Sequence, residues 1–551
     1  PTPPRASKHA SLGAAVRVVS LLTIGSRLGG LVRDVVTVRL FGDTWIGSAF
    51  AAAFSAPNLF RRLFGEGALS AAFLPEYTAL DRDDPEAARR FASRSMRWLV
   101  GVTGALTVVI ELVLLLLLFT LTPDPERDLS LRLVLVMMPF MPMVCATAIL
   151  SAMLQTHGKF APGAAAPILL NFGLVLAAAP FLFHPSPDRI FAAYLLSFAT
   201  LITGALQVMW TLAALRPSIR WTRDTTGTLA PMRRLGKRFV PVVIGLGTIQ
   251  LNSAIDTLIA MWPLWVGPTM FGLACPLDDA SNAILTYTQR LYQFPLGVFG
   301  IAVATAAFPM LSRAAKDPVA FADTLRRSMR LSLFIGIPAS LGLILVRHDL
   351  IAVLFTGGSG FSASGAARSA SVLLGYCVAI WAYSLNHVST RAFYARGDTR
   401  TPMKVAIAAV LLNLVLNFAF IWQLREAGLA WATASSAMAQ CLALLWIQAR
   451  HTHRDTLDRA TIMAIARILA LAALMAAVTW GTLLLLGLAP RWNTNPWLWH
   501  LIRLLAGVSA GGLSYLALTR SLRCPELSWL LARGGGGARP SASDSDTLPV
   551  D

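Results

Sequence analysis

Apolar runs of membrane-spanning length recur along the whole chain, and they limit the possible folds more than any other feature of the sequence. Each run has about 18 or more residues, which is enough for a helix to cross a hydrocarbon core of about 30 Å. Hydrophobic residues make up 56% of the 551 positions, against roughly 45–50% in ordinary globular domains. The sequence therefore predicts an all-α polytopic membrane protein.

Hydropathy and helix-breaking residues predict about fourteen transmembrane helices. The loops between them differ sharply in charge, because basic residues cluster around Arg89, Arg233 and Arg326 whereas the loop 266–281 contains no Lys or Arg. Basic loops mark the cytoplasmic side, so both termini are predicted to be cytoplasmic. The basic cytoplasmic loops therefore explain the formal net charge of +19, and nucleic-acid binding is not needed to explain it. The predicted spans are 14–38, 45–74, 97–121, 131–154, 162–183, 189–214, 239–264, 281–312, 330–355, 370–395, 403–423, 427–448, 460–488 and 497–519.

Three short sequence echoes indicate an internal repeat, because they share nearly one offset of 233 to 242 positions. The echoes match the second, third and fifth spans to the eighth, ninth and eleventh, so the repeat unit is six helices. Because six is an even number of crossings, both lobes begin on the same side of the membrane. The two lobes are therefore parallel repeats related by an axis along the membrane normal. The echoed positions are RSMR at 94–97 and 327–330, AAFLP ending at Pro75 and AAFP ending at Pro309, and Gly158, Pro162 and Asn171 matched by Gly397, Pro402 and Asn413.

The repeat divides the chain into predicted parts. An N-terminal six-helix lobe covers 1–222, a C-terminal six-helix lobe covers 223–455, and two additional transmembrane helices cover 456–533. The lobes are expected to surround a central cavity, as in transporters that rock around a site at the lobe interface. The tail 534–551 is rich in Gly, Ser and Pro and is predicted to be disordered and cytoplasmic.

Four arginines lie inside predicted spans, where each costs about 2.5–3.5 kcal/mol near a helix centre. They must face a watery cavity or pair with acids, and Asp34 and Glu66 are too few to neutralise all four. Arg39 and Arg62 lie near span ends and are instead predicted to snorkel toward the interface. The four buried arginines are Arg27, Arg33, Arg61 and Arg290.

Helix breakers flank these arginines and predict three broken helices. Irregular backbone at membrane depth normally lines a cavity, and guanidinium groups bind phosphate oxygens in pairs. The sequence therefore predicts a cavity for a polyanionic head such as a diphosphate. The breakers are Gly29 and Gly30 in the first span, where a bend or partial unwinding is expected, Pro57, Gly65 and Gly67 in the second, and Pro295 in the eighth.

Four long segments closely resemble the MurJ (MviN) family of lipid II flippases, in the multidrug/oligosaccharidyl-lipid/polysaccharide exporter superfamily. The resemblance runs from about residue 14 to residue 450 and weakly beyond. The four segments are SRLGGLVRDVVTVRLFG, APNLFRRLFGEGALSAAFLPEY, QRLYQFPLGVFGIAVATAAFPMLS and TRAFYARGDTRTP.

The resemblance implies that seven residues fall on the family's central cavity, where the diphosphate of lipid II docks. The family commonly has an Asp, tied in relatives to gating of the cavity, at the position where this chain has Ser48. Whether Asp43, five residues earlier, substitutes for it is left open by the sequence. The seven implied cavity residues are Ser26, Arg27, Arg33, Asp34, Arg61, Glu66 and Arg290.

A second constellation combines carboxylate, amide and hydroxyl oxygens with one negative charge, a ligand set suited to a hard monovalent cation such as Na⁺. Asn413 and Asn417 are four apart and share a helix face. In some relatives similar positions form a sodium site, with an Asp where Asn417 stands. The alternative is that the carboxylate simply hydrogen-bonds the asparagines across packed helices. The four residues are Asp256, Asn413, Asn417 and Thr433.

The predicted function is that of a lipid II flippase in the bacterial cytoplasmic (inner) membrane. By alternating access it moves the undecaprenyl-diphosphate-linked disaccharide-pentapeptide from the inner to the outer leaflet, with the cavity arginines binding the diphosphate. The sequence contains no nucleotide loop, zinc-helix motif or nucleophile elbow. An enzyme is therefore not expected, and membrane potential or an ion gradient is expected to supply the drive.

The expected partners are lipid II, membrane lipids and, as further candidates, cell-wall synthesis proteins, whereas nucleic acid is excluded. No cofactor is expected apart from a coupling ion such as Na⁺. Two alternatives stay open. One is an exporter of another polyprenyl-linked saccharide or a drug on the same scaffold, and the other is a membrane scaffold that binds lipid without transporting it.

Overall fold

The computed structural model describes residues 6–61, 69–182, 184, 188–216, 219–356, 360–452, 458–488 and 495–531. Long helices dominate these ranges, and a two-stranded antiparallel hairpin pairs β1 (Thr269–Met270) with β2 (Leu273–Ala274). The predicted all-α membrane fold is confirmed. The predicted disordered tail 534–551 lies outside the described residues.

Eight helices, called the first half, precede residue 216. In this half α1 packs against α7, α7 and α6 pack against α8, and α2 packs against α5. Their core includes a stack of the aromatic rings of Phe73, Tyr77 and Phe91. The helices are α1 (Ala6–Phe41), α2 (Trp45–Phe60), α3 (Leu69–Asp83), α4 (Pro85–Thr120), α5 (Pro125–Met137), α6 (Phe140–Thr156), α7 (Ala161–Leu182) and α8 (Arg189–Leu215).

The second half follows, and it contains a π-helical segment, Leu296–Gly300, between α11 and α12. Here α16 packs against α17 and α9, and α13 packs against α14 and α15. The helices are α9 (Leu229–Ala260), α10 (Trp262–Trp265), α11 (Ser281–Pro295), α12 (Ile301–Ala314), α13 (Pro318–Phe355), α14 (Ala363–Cys377), α15 (Ile380–Ala395), α16 (Arg400–Leu424) and α17 (Glu426–Thr452).

Three further helices complete the described part of the chain: α18 (Arg459–Leu488), α19 (Pro496–Ser521) and the short α20 (Pro525–Leu531). The first two pack against α13. A fully buried carboxylate on α20 ties this end together, since Glu526 accepts hydrogen bonds from Arg330 of α13 at 2.8 Å and from Arg467 of α18 at 2.9 Å. The guanidinium group of Arg330 also lies 5.0 Å from the ring centroid of Trp529.

Local structure repeats between the halves at the offset of the sequence echoes. Asp84 and Asp317, each followed by Pro, accept the first backbone N–H groups of α4 and α13. Gly158 and Gly397 end helices with positive φ angles of 72° and 80°, a conformation that glycine adopts without strain. Each half also breaks one span at the same point, between α5 and α6 and between α14 and α15. The exact lobe boundaries stay predictions.

Ten helical segments in the described part of the chain are long and apolar enough to cross a membrane. Six further long helices in the described residues are outside this set: α1, α2, α3, α9, α11 and α12. Helices α2, α3, α11 and α12 have only 14 to 16 residues each, fewer than a helix needs to span the hydrocarbon core. The count of fourteen crossings stays a prediction. All predicted cavity residues in the described ranges lie on or next to these shorter or more polar helices.

The first span corrects one expectation. Helix α1 is continuous through Gly29 and Gly30, so the predicted partial unwinding is wrong. Both glycines face Asn171 on α7, and a Cβ atom built at Gly29 would lie in ordinary contact with its Cβ atom, at 3.5 Å. The eighth span is broken as predicted, since α11 ends at Pro295 and the π-helical segment follows. In the second span α2 continues to Phe60, and the predicted breakers Gly65 and Gly67 lie outside the described residues.

Candidate substrate cavity

A cavity of about 410 Å³, counted with the open space at its mouth, lies between the two halves. Its walls come from α1, α2, α7 and α11, so three of its four walls are among the shorter or more polar helices. Polar and aromatic side chains meet here within the predicted spans. The lining residues are Arg33, Asp34, Thr37, Phe50, Ala51, Phe54, Ser55, Leu174, Thr286, Tyr287 and Arg290.

One carboxylate lies between two guanidinium groups in this cavity. Asp34 Oδ1 is 2.6 Å from Arg33 Nη2, and Asp34 Oδ2 is 3.9 Å from Arg290 Nε. The three side chains retain 14 to 27% of their exposure, so water reaches them. Two arginines against one aspartate leave the group with a net charge of +1. The prediction that arginines in the spans avoid lipid by facing a polar cavity holds for Arg33 and Arg290.

Asn171 of α7 orients Arg33. Its Oδ1 accepts from Arg33 Nη1 at 2.9 Å, while its Nδ2 donates to the carbonyl oxygen of Ser26 at 2.9 Å. The guanidinium group of Arg33 also lies 4.9 Å from the ring centroid of Phe54. The sequence reasoning used Asn171 only as a repeat marker and missed this role. The signal was an asparagine inside an apolar span at the position that the repeat matches to Asn413.

The other predicted cavity residues lie nearby but do not line the 410 Å³ cavity. Ser26 contributes its backbone carbonyl group. Arg27 extends toward the π-helical segment, where its Nη1 would lie 2.9 Å from a Cβ atom built at Gly297. Arg61 donates from Nε to Asn58 Oδ1 at 3.0 Å, at the end of α2. Glu66 lies outside the described residues. Of the predicted set, the structure therefore brings Arg33, Asp34 and Arg290 together.

Replacement of Asn171 by leucine is expected to destabilise the protein. The change keeps the side-chain size but removes the acceptor of Arg33 Nη1 and the donor to the Ser26 carbonyl oxygen, at a cost of about 1–3 kcal/mol. We expect a lower midpoint of heat denaturation in detergent. The matched control is Phe172→Leu, the next residue on α7, whose side chain is 66% exposed. Equal midpoints for the two variants would contradict the role assigned to Asn171.

Contacts between α2 and α11 lie next to the α1–α2 connection. Ser48, the position that departs from the family pattern, is buried on α2, and its Oγ accepts from the backbone N–H of Ala283 at 3.0 Å. Asn282 donates from Nδ2 to the Ser48 carbonyl oxygen at 2.9 Å. These two bonds join α2 of the first half to α11 of the second half. Ser48 therefore makes a neutral hydrogen-bonded contact between the halves.

The four residues of the second constellation form one buried network between α9, α16 and α17. Asp256 accepts from Asn417 Nδ2 at 2.7 Å and from Thr433 Oγ1 at 3.0 Å. Asn413 donates to Thr433 Oγ1 at 3.2 Å and accepts from Asn417 at 3.1 Å. The network thus has the geometry of the hydrogen-bonding alternative. Asn413 of this network is the residue that the repeat matches to Asn171 of the first half.

The same side chains meet the basic requirement of a small hard cation. The carboxylate of Asp256, both amide oxygens and the Thr433 hydroxyl could supply five oxygens, and the amide oxygen of Asn417 is buried without a hydrogen-bond partner. Binding would require the amide of Asn417 and the hydroxyl of Thr433 to turn their donors away from Asp256. The residues present therefore fit Na⁺ by chemistry, with a rearrangement of two donors.

Two helical halves that enclose a charged cavity, in a chain with many membrane-spanning helices, define a polytopic membrane transporter. A sequence profile described as "Lipid II flippase MurJ" matches residues 37–498. The chain therefore belongs to the MurJ lipid II flippase family.

Two individual relatives carry the name of the same family. A "Probable lipid II flippase MurJ" of Vibrio cholerae is 30% identical over 487 residues, which cover 85% of this chain and 87% of the relative. A "Lipid II flippase MurJ" of Burkholderia cenocepacia is 28% identical over 449 residues, covering 78% of this chain and 82% of the relative.

Solved structures share the fold. A structure titled "Lipid II flippase MurJ, inward closed conformation" superposes with a TM-score of 0.72 at 22% identity and covers 92% of this chain and 99% of its own. An inward-facing multidrug resistance MATE family transporter of the MOP superfamily gives a TM-score of 0.57 at 14% identity and covers 79% of this chain and 94% of its own. The helical architecture is therefore that of these membrane transporters.

Proposed function

We propose that this protein flips lipid II, the lipid-linked precursor of peptidoglycan, from the inner to the outer leaflet of the bacterial cytoplasmic membrane. The observation that carries the proposal is a cationic cavity between two helical halves in a member of the MurJ family. The substrate is amphiphilic, so its polar head needs a watery path while its polyprenyl tail stays in lipid. A cavity between rocking halves provides such a path.

The diphosphate of lipid II is the group that the cavity arginines bind. A guanidinium group has five N–H donors. Arg33 already uses several of them on Asp34 and Asn171. The ion pair of Arg290 with Asp34 is long, at 3.9 Å, so Arg290 keeps donors for an incoming anion. Asp34 then offsets the repulsion between the two guanidinium groups and limits the positive charge when the cavity is empty.

Alternating access moves the bound head across the membrane. The cavity opens toward the cytoplasm while contacts of α2 with α11 close the opposite end, and the closure reverses after binding. In this orientation the termini are cytoplasmic, as the basic loops predict. The protein is a transporter and not an enzyme, because no covalent step is needed. Membrane potential or an ion gradient supplies the drive, and moving one charge through 100 mV provides about 2.3 kcal/mol.

An exporter of another substrate on the same scaffold is less well supported. Cationic drugs favour acidic cavities, whereas Arg33 and Arg290 outnumber Asp34 here. An exporter of another polyprenyl-diphosphate saccharide would use the same arginines and differ in sugar contacts. A scaffold that binds lipid without transport would keep the cavity but lose the cycle. Neither alternative is favoured by a specific contact in the described residues.

Complementation tests the proposal. The chain is expressed in a bacterium depleted of its own lipid II flippase, and growth is scored together with membrane abundance. Rescue is the expected result, accompanied by a return of lipid II to the outer leaflet. A well-expressed chain that binds lipid II but fails to rescue would favour the scaffold, and rescue of another saccharide export pathway alone would favour the exporter.

Sodium binding by the Asp256 network is a separate prediction. If Na⁺ binds the folded protein, NaCl raises the midpoint of heat denaturation above the value in choline chloride of equal ionic strength. Asp256→Asn is expected to remove this difference, because the network loses its only charge. Equal midpoints of the parent protein in the two salts would support the purely hydrogen-bonded alternative.

A further inference from the structure

The connection between α1 and α2, residues 39–48, reaches from the first half onto the second half; we call it the α1–α2 corner. Besides the bonds to α11 described above, Arg39 donates to two carbonyl groups at the end of α13, those of Val353 at 3.0 Å and Leu354 at 3.3 Å. The guanidinium group of Arg39 therefore binds the other half near the end of α13, and its snorkelling stays a prediction. The corner is a contact between the halves.

Backbone meets backbone at the tip of the corner. Gly42 has a positive φ of 65°, and a Cβ atom added there would lie 1.5 Å from the carbonyl oxygen of Gly360. A Cβ atom added at Gly360 would in turn lie 2.9 Å from the carbonyl oxygen of Arg39. Only glycine permits this approach. At Gly42 and Gly360 the two halves therefore touch through main-chain atoms.

The carboxylate of Asp43 adds a side-chain contact beside this main-chain approach. Asp43 Oδ1 accepts from the backbone N–H of Ser362 at 2.8 Å, and Oδ2 accepts from the Ser362 hydroxyl. Ser362 is the N-cap of α14, and its Oγ also accepts from the backbone N–H of Gly365 at 2.9 Å. A negative charge at a helix N-terminus is favourable because free N–H groups and the helix dipole face it. Asp43 of the first half thus extends the cap of a helix in the second half.

Helix α14 is firmly attached to its own half. Arg368 donates to Asp278 at 2.7 Å and to Glu426 at 2.7 Å, and this joins α14 to the loop before α11 and to α17. Partial burial would raise the pKa of Asp278, but its bonds with Arg368 and Ser281 and the charge of Arg425 outweigh burial and hold the pKa below its ordinary value. The N-terminus of α14 therefore moves with the second half.

We propose that Asp43 is a charged latch between the halves: its carboxylate holds the N-terminus of α14 while the cavity is closed at this end, and the contact breaks each time the cavity opens there. The proposal rests on the alternating access proposed above. Asp43 and Ser48 hold different helices, α14 and α11, so the carboxylate acts in addition to the neutral contact. The latch is weak enough to open because its bonds are solvent-accessible.

Cysteine labelling tests the latch without lipid II. Ser55 lines the cavity, so a Ser55→Cys variant in spheroplasts is treated with a membrane-impermeant maleimide from the side of the corner. Adding Asp43→Ala is expected to speed labelling about threefold to tenfold, since a charge-assisted contact is lost. Asp43→Asn should give an intermediate rate, because its amide oxygen still accepts a hydrogen bond.

The matched control is Asp83→Ala, which removes a carboxylate whose side chain is 65% exposed. Labelling of the buried Cys145 monitors unfolding, and background is measured on the chain without Ser55→Cys. If Asp43→Ala labels no faster than the parent protein or the Asp83→Ala control, the latch proposal is wrong. Faster labelling of Cys145 as well would attribute the effect to unfolding and also count against it.

A disulfide tests whether the contact must open. Asp43→Cys with Ser362→Cys is oxidised in proteoliposomes containing lipid II, and transport is expected to stop and to return with a reductant. The control pair Ser93→Cys and Thr222→Cys replaces a contact of the same kind between α4 and the segment that follows α8, at 3.1 Å, and should leave transport intact. Failure of the Asp43 pair to cross-link, or transport at the parent rate once cross-linked, would overturn the latch. Absence of lipid II transport by the parent protein would instead overturn the proposed function, while the labelling result would still decide the latch.

Discussion

Arg290→Ala is expected to abolish rescue of flippase-depleted cells at an unchanged membrane level of the protein. The change removes one of the two guanidinium groups around Asp34 and lowers the net charge of the group from +1 to zero. A hydrogen bond to a charged group contributes about 1.5–3 kcal/mol, so loss of even one such contact with the diphosphate weakens binding by about tenfold to a hundredfold. Arg290→Lys should rescue partly, because the positive charge remains but the paired N–H donors of the guanidinium group are lost.

The control for Arg290 is another arginine that lies away from the cavity. Arg82 at the end of α3 has an 80% exposed side chain and pairs with the neighbouring Asp83. Arg82→Ala should rescue as the parent protein does. Growth of the Arg290→Ala strain at the parent rate, with equal abundance, would remove the diphosphate role from this residue. Direct binding of lipid II to the purified variants separates a binding defect from a transport defect.

Glu526→Ala is expected to have the largest effect on stability. The carboxylate is fully buried and accepts from both Arg330 and Arg467, which share no other acid among the ion pairs of the described residues. Removal of one partner of a buried ion pair costs about 3–5 kcal/mol, because the remaining charges lose their compensation. We expect a midpoint of heat denaturation lower by several degrees and a reduced membrane level.

Two comparisons make this prediction specific. Glu526→Gln keeps the size and one acceptor oxygen and should fall between the parent protein and Glu526→Ala. Glu86→Ala removes a glutamate with a 71% exposed side chain and should leave the midpoint unchanged. If Glu526→Ala denatured at the parent temperature, α20 would not be a structural part of the bundle.

The charge pattern of the sequence predicted the cavity because arginine cannot face lipid at low cost. That argument selected Arg33 and Arg290, which do meet at Asp34. It could not predict that Arg39 would bind the end of α13, since the partner groups are backbone carbonyls and carry no sequence signal. Asn171 was missed for a related reason, because one amide side chain in an apolar span indicates a hydrogen bond without naming its partner.

Proline predicted a helix break more reliably than glycine did. Pro295 marked the break in the eighth span correctly, because proline removes a backbone donor and disturbs the preceding turn. Gly29 and Gly30 marked close packing and not a break, because glycine allows both. Only the tertiary position of α7 distinguishes these two outcomes. The repeat was predictable from short echoes, since the Asp-Pro caps and the left-handed glycines are local features.

The helices outside the set of span candidates bear on how this protein inserts into the membrane. Helix α1 is long enough but does not combine the hydropathy and low charge of a span candidate, and α2 has only 16 residues. Helix α4, with a mean hydropathy of 2.6 over its most apolar window, is the first span candidate among the described residues. Helix α1 packs against α7 and α2 packs against α5, and both partners belong to span candidates that follow α4 in the chain. We therefore expect stable insertion of α1 and α2, two walls of the cavity, to depend on helices that are synthesised after them.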